Sequence, residues 1–241
     1  MILTVHGAPT YCYTGGKPFD AAKPSVVFIH GVLNDHSVWI LQSRYLAHHG
    51  FNVLAVDLPG HCRSGGEAPA SVEEAAAHLK ERVTHLVLVG TAFPMRVSPA
   101  LIEASMNDPM KALTMVNVFS RSTLCAPPSA LGPGTWVFGA GMALGRRVLA
   151  SNAAVNVFHR GFVACDRYAN GDAAITQITA PVLFLLGGVD QMTPPKAAQG
   201  LITKAREAGK TVQVVTLPVG HHQMTETPDA TLAALHGFLA P

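Results

Sequence analysis

Residues 25–39, SVVFIHGVLNDHSVW, decide the fold. Val26 to Ile29 are four consecutive apolar residues, β-branched or aromatic, that run without alternation into His30-Gly31. Such a strand is expected to be parallel and buried on both faces. Gly31 is expected to let the backbone turn sharply, aiming the Val32 amide into a cleft at the strand's C-terminal end. Ligands of open α/β sheets bind there.

The same reading extends along the chain. Residues 2–6 and 11–14 alternate around Gly7-Ala8-Pro9, predicting an antiparallel hairpin. Residues 37–49 predict a crossover helix ending at Gly50, and 52–56 a second buried parallel strand closed by Asp57-Leu58-Pro59-Gly60-His61. Ser71 with Glu74 makes a capping box for a helix reaching about Leu79. His85 to Val89 predicts another strand, running into Gly90-Thr91-Ala92-Phe93-Pro94. From 94 to 180 the pattern is helical and broken by Pro and Gly, over 99–106, 109–119, 142–159 and 161–168. Strands return at 182–186, followed by Gly187-Gly188-Val189-Asp190, and at 211–216, followed by Gly220-His221-His222. A helix at 194–208 separates them and another at 228–239 closes the chain. One α/β domain follows, with core 1–93 and 181–241 and residues 94–180 inserted as a helical lid.

Composition narrows the function. The 241 residues are 49% hydrophobic and 13% charged, with a formal net charge of +2 and no Lys/Arg run, so nucleic acid is not an expected partner. No leader pattern opens the chain, and no window nears the roughly 18 apolar residues of a membrane span. A cytoplasmic protein without a membrane partner is expected. Cys12, Cys62, Cys125 and Cys165 show no metal-ligand spacing and are expected to be free thiols. His48-His49 and His221-His222 lack the HxH and HExxH spacings, so no metal or other cofactor is expected.

Taken in order, His30-Gly31, Asp57-Leu58-Pro59-Gly60-His61, Gly187-Gly188-Val189-Asp190 and Gly220-His221 resemble the layout of the α/β-hydrolase fold family, over nearly the whole chain. The resemblance implies a mostly parallel central sheet flanked by helices, and serine hydrolase chemistry on small carboxylic esters, lactones or similar acyl substrates. It implies His221 as base, Asp190 as the carboxylate that orients it, and the Val32 amide, beside Gly31 and His30, as an oxyanion donor. The family's nucleophile sits in a G-x-[nucleophile]-x-G elbow, and no GxSxG, GxCxG or GxDxG occurs here. Against the family, one central strand and its crossover helix are short, roughly thirty residues, with the seam expected between Ala77 and Glu81.

Several residues carry two readings. Cys62, and more remotely Thr91 and Ser64, are candidate replacement nucleophiles, against tolerated substitutions. Asn34, Asp35, His36 and Trp39 either line the cleft mouth or form a capped helix start. Met115, Phe119 and Met142 either face an acyl pocket or pack as core. Gly139 to Gly145 reads as a lid loop rather than a dinucleotide loop. If the sheet closes over the missing strand, 85–89 pairs in parallel with 26–29 and Ala92 stands where the nucleophile belongs. The apolar sheet face uncovered by the missing helix then favours self-association. The functional expectations are a family hydrolase without its nucleophile, a non-catalytic module for a small-molecule ligand, or a base-only lyase or oxygenase using His221 and Asp190.

Overall fold

The computed structural model describes residues 1–76, 83–122 and 137–239. Strands β1 (Ile2–Val5) and β2 (Ala8–Tyr13) form the expected antiparallel hairpin. His6 and Gly7 both take positive φ, 47° and 78°, the backbone a tight two-residue hairpin needs. β3 (Ser25–Phe28) runs parallel to β4 (Asn52–Val56), which pairs antiparallel with β2. β5 (Leu86–Val89), β6 (Val182–Gly187) and β7 (Val212–Leu217) are parallel, with β6 fully buried between its neighbours.

These strands form two sheets, ordered β1-β2-β4-β3 and β5-β6-β7. The expected pairing of 85–89 with 26–29 is not made. β3 is an edge strand, not a strand buried on both faces, and Val27 keeps 41% of its surface. Sheet closure follows only if the free edges would otherwise be dry. Here β5 is half-buried throughout and Ser25 and Val27 of β3 are exposed, so the unpaired edges are not fully dry and the penalty for burying unpaired main-chain groups is reduced. Apolar packing joins the sheets instead. Phe28 and Trp39 stack at 5.2 Å within a cluster holding Leu46, Val53, Met224 and Leu235, against which Val26, Val87 and Val89 pack.

Helix α1 (Ile40–His48) follows a short 3-10 turn at His36–Trp39. Asp35 caps that turn, accepting from the Ser37 amide at 2.9 Å, so the capped-start reading holds for Asp35 and the turn it opens. α2 (Val72–Ala76) opens with the capping box: Ser71 Oγ accepts from the Glu74 amide, and the Glu74 carboxylate reaches back to the Ala70 amide at 2.7 Å. The seam expected at Ala77 to Glu81, residues 77–79 of the expected helix and Cys125 lie outside the described residues.

Between β5 and β6 come α3 (Pro99–Asn107), α4 (Pro109–Phe119), α5 (Val137–Ala150), α6 (Val157–Arg167) and α7 (Gly171–Gln177). The loop expected at Gly139 to Gly145 is part of α5. Glycine disfavours an isolated helix, but Gly141 and Gly145 face α4 so closely that a Cβ on either would overlap Asn117 or Leu113. The helix expected over 142–159 is broken, with α5 ending at Ala150 and α6 starting at Val157. Met115 and Met142 pack on the Leu101, Leu113 and Phe158 cluster, whereas Phe119 is exposed. α8 (Gln199–Glu207) stops before Gly209, and α9 (Gln223–Glu226) and α10 (Pro228–Leu239) close the described chain. None of the described helices is long and apolar enough to cross a membrane.

Candidate functional site

The loops after β6 and β7 lie side by side because both backbones are bare there. A Cβ on Gly187 would overlap Gly220 O and stand 2.7 Å from Val219 O. This approach brings His221 Nδ1 to 2.8 Å from Asp190 Oδ2. The carboxylate is fully engaged: Oδ1 accepts the Met192 and Thr193 amides at 2.8 and 2.9 Å, and Oδ2 also accepts the Thr193 hydroxyl at 2.8 Å. Burial alone would raise the Asp190 pKa, but the bonds from His221 and Thr193 hold it below the ordinary carboxylate value. An ionised Asp190 fixes the Nδ1–H tautomer of His221 and leaves Nε2 to accept a proton.

Thr193 Oγ1 lies 3.0 Å from His221 Nδ1, and its single hydroxyl proton is shared between Asp190 Oδ2 and Gly90 O, each at 2.8 Å. Gln223 joins the same loops. With its amide oriented to satisfy both groups, it donates to His221 O at 2.6 Å and accepts the Gly187 amide at 3.0 Å. Gly90, at φ 57°, lies against the imidazole, and a Cβ there would stand 3.2 Å from His221 Nδ1 and Cε1. The turn after β5 therefore meets His221 through Gly90, while Ala92 is buried.

After β3, the left-handed residue is Leu33, at φ 62°, not Gly31, where a Cβ would meet nothing within 4 Å. Among the described residues the Val32 amide has no hydrogen-bond partner. His30 is buried and structural: its Nε2 accepts the Leu58 amide at 3.1 Å, so Nδ1 donates to Gly31 O at 2.9 Å. Burial drives its pKa down to about 4.

Val32 and Asn34 line a cavity of about 30 Å³ with Leu113, Val116, Leu144 and His222. That holds roughly two waters. Burial, then the charge of Arg121 and the His221 ring, keep the His222 imidazole neutral. Asp35 and Trp39 are not in this cavity. Trp39 belongs to the core, and Asp35 Oδ2 takes Arg147 Nε and Nη2 at 3.0 and 2.6 Å. That ion pair, with Cys62 N–H to Ser151 Oγ at 3.0 Å and Asn152 Nδ2 to Gly60 O at 3.0 Å, ties α5 and the turn after it to the loops after β3 and β4.

Cys62 is not poised as a nucleophile. Its thiol donates to Asp35 at 3.4 Å, and burial and that carboxylate push its pKa up to about 11. Ser64 is engaged between the Tyr11 amide and Asp57 O. Cys12, Cys62 and Cys165 are free thiols. Among the described residues, Asp35, His36 and Asp57 form one group whose ligand atoms lie within 4.8 Å. Protein donors already fill it, His36 Nδ1 at 2.8 Å and the Arg63 amide at 3.2 Å on Asp57 among them.

The sequence profile of the alpha/beta hydrolase family matches residues 26–235. Among solved structures, the enol-lactonase from Burkholderia xenovorans LB400 superposes with a TM-score of 0.79 at 18% identity, covering 100% of each chain. The esterase EaEST from Exiguobacterium antarcticum gives 0.76 at 17%, covering 100% of this chain and 98% of that one. Est816, an N-acyl homoserine lactone degrading enzyme, gives 0.75 at 19%, covering 99% and 100%. At such identities the likeness is one of fold. No curated protein matches the sequence.

Proposed function

The chain belongs to the alpha/beta hydrolase family, and from that premise we propose that it takes small esters, lactones or similar acyl compounds at the His221–Asp190 site without forming an acyl-enzyme. The observation that carries this reading is the break in the sheet between β3 and β5. In a complete hydrolase of this kind, the strand delivering the nucleophile lies between the oxyanion loop and the base. Here the Val32 loop and His221 face a region with no such strand among the described residues. The base retains its orienting carboxylate, while among the described residues the Val32 amide has no partner and no nucleophile stands ready for a covalent intermediate.

We take residues 94–180 as a lid over this site. The small cavity beneath it requires α4 and α5 to part before an ester enters, and the Arg147–Asp35 pair is one contact such parting would break. The free thiols suit a reducing compartment, and we place the protein in the cytoplasm.

The test pairs binding with turnover. Titration of the purified protein with short-chain aryl esters and simple lactones, followed by heteronuclear NMR, should shift the Val32, Asn34 and His222 resonances while hydrolysis stays at background. Stoichiometric burst release of the alcohol would refute the reading. A second reading, proton abstraction by His221 alone, is favoured by the completeness of the His221–Asp190–Thr193 cluster. It is tested by incubating acidic C–H substrates with the protein under oxygen and measuring oxygen uptake or elimination products.

A further inference from the structure

On the reading that His221 is the base, we propose that Glu226 is its positioning residue, its carboxylate gripping the His221 loop on both sides and fastening it to the end of α4. The side chain is buried. Its Oε2 accepts the Ser122 amide at 2.9 Å and the Gly220 amide at 3.2 Å, and its Oε1 accepts the His222 amide at 3.3 Å. Gly220 and His222 flank His221 directly, so two of the three bonds hold the peptides on either side of the base. The third comes from the segment after α4, which makes a further bond to the base itself, from the His221 amide to Ser120 O at 2.8 Å.

The local backbone makes this grip specific. A Cβ at residue 220 would stand 2.7 Å from both Ser120 O and Ser122 N, so the two segments touch main chain to main chain. One carboxylate can therefore reach amides from both. α9 supplies the geometry, since the Glu226 amide bonds to His222 O at 2.8 Å and folds the side chain back over the loop it follows. The charge is balanced nearby. Arg121 lies close enough to interact with Glu226 electrostatically, and its Nη1 holds Thr225 Oγ1 at 2.9 Å. Three amide donors converging on one acceptor require a carboxylate. A glutamine of the same size places its NH2 against at least one N–H.

The experiment reads the imidazole directly and needs no turnover. In protein labelled with 15N-histidine, the His221 Nδ1–H held by Asp190 should appear as a slowly exchanging downfield proton, assigned by its loss in His221→Asn. Glu226→Gln should speed its exchange with water about tenfold or more, the loss of one charge-assisted bond, while the remaining amide spectrum reports an intact fold. A folded Glu226→Gln protein whose Nδ1–H exchanges within about twofold of the parent would overturn the proposal. If that variant fails to fold, the parent protein decides: the amide shifts of Ser122, Gly220 and His222 should titrate together with the Glu226 side-chain carboxyl carbon. Independent titration of those amides would overturn it equally. Absence of the Nδ1–H signal from the parent would count against the His221–Asp190 reading, and co-titration would still judge the grip of Glu226.

Discussion

Gly187→Ala should separate Asp190 from His221 without touching either side chain. The added Cβ would overlap Gly220 O and stand 2.7 Å from Val219 O. Carbon and oxygen need roughly 1 Å more than that, and both obstacles are backbone, which cannot swing aside as a flexible side chain would. The displacement passes along short levers, three residues to Asp190 and one from Gly220 to His221, and takes their 2.8 Å bond beyond hydrogen-bond range. Overpacking costs about 1 to 3 kcal/mol. Loss of a hydrogen bond to a charged group adds about 1.5 to 3 kcal/mol. A total near 3 to 5 kcal/mol lowers Tm by about 6 to 20 °C in a chain of this size. Thermal unfolding by circular dichroism measures the first effect, and the His221 Nδ1–H resonance the second. A variant that keeps both the parent Tm and that resonance would show that the two loops do not meet as described.

Stability should also fall with pH before the carboxylates titrate. Between about pH 6.5 and 4, the unfolded chain binds a proton at His30 that the folded chain refuses, because burial holds the folded pKa near 4. The contribution is complete above pH 6.5 and its loss approaches about 3 kcal/mol at pH 4. Urea midpoints at pH 7 and 4.5 in the parent and in His30→Gln should diverge less in the variant, and equal divergence would discount His30. Asp190, Asp35 and Asp57, all held below the ordinary carboxylate value, should add a second loss below about pH 4. Cys62, with its pKa near 11, should react with iodoacetamide at pH 7.5 at about one hundredth the rate of a free thiol or less; modification at the free-thiol rate would contradict its burial against Asp35. Arg147→Met leaves the buried Asp35 carboxylate with Ser37 and Cys62 alone and should cost about 1 to 3 kcal/mol, discounted for the exposure of the arginine. An unchanged urea midpoint would remove the pair as a tie between α5 and the β3 loop.

Local chemistry made most of the framework legible. The apolar run at Val182 to Leu186 forms the buried centre of its sheet, and Ser71 with Glu74 caps a helix as their spacing implies. Asp190 and His221 were legible because each ends a parallel strand at one sheet edge, and the structure brings them together. The sheet break was not legible. The pairing of β5 with β3 depends on whether water reaches their edges, which the residues in those strands do not encode. Gly141 and Gly145 read as loop because their use is tertiary, admitting Asn117 and Leu113. Thr193 and Glu226 carried no motif. Each serves through main-chain and imidazole groups that only the approach of β6 to β7 assembles, though a lone acid between His221 and Pro228 was a faint signal.

The most direct measurement of the central claim is labelling by a fluorophosphonate probe, on protein whose intact mass matches the 241-residue chain. On the proposed reading, in which no nucleophile stands opposite His221, no mass increase is expected after prolonged exposure. Hydrolysis of activated aryl esters should stay at the level left by oxyanion donors and binding, at most on the order of 10³ to 10⁴ over water. Stoichiometric addition of one phosphonyl group to a serine, abolished by His221→Ala, would contradict it.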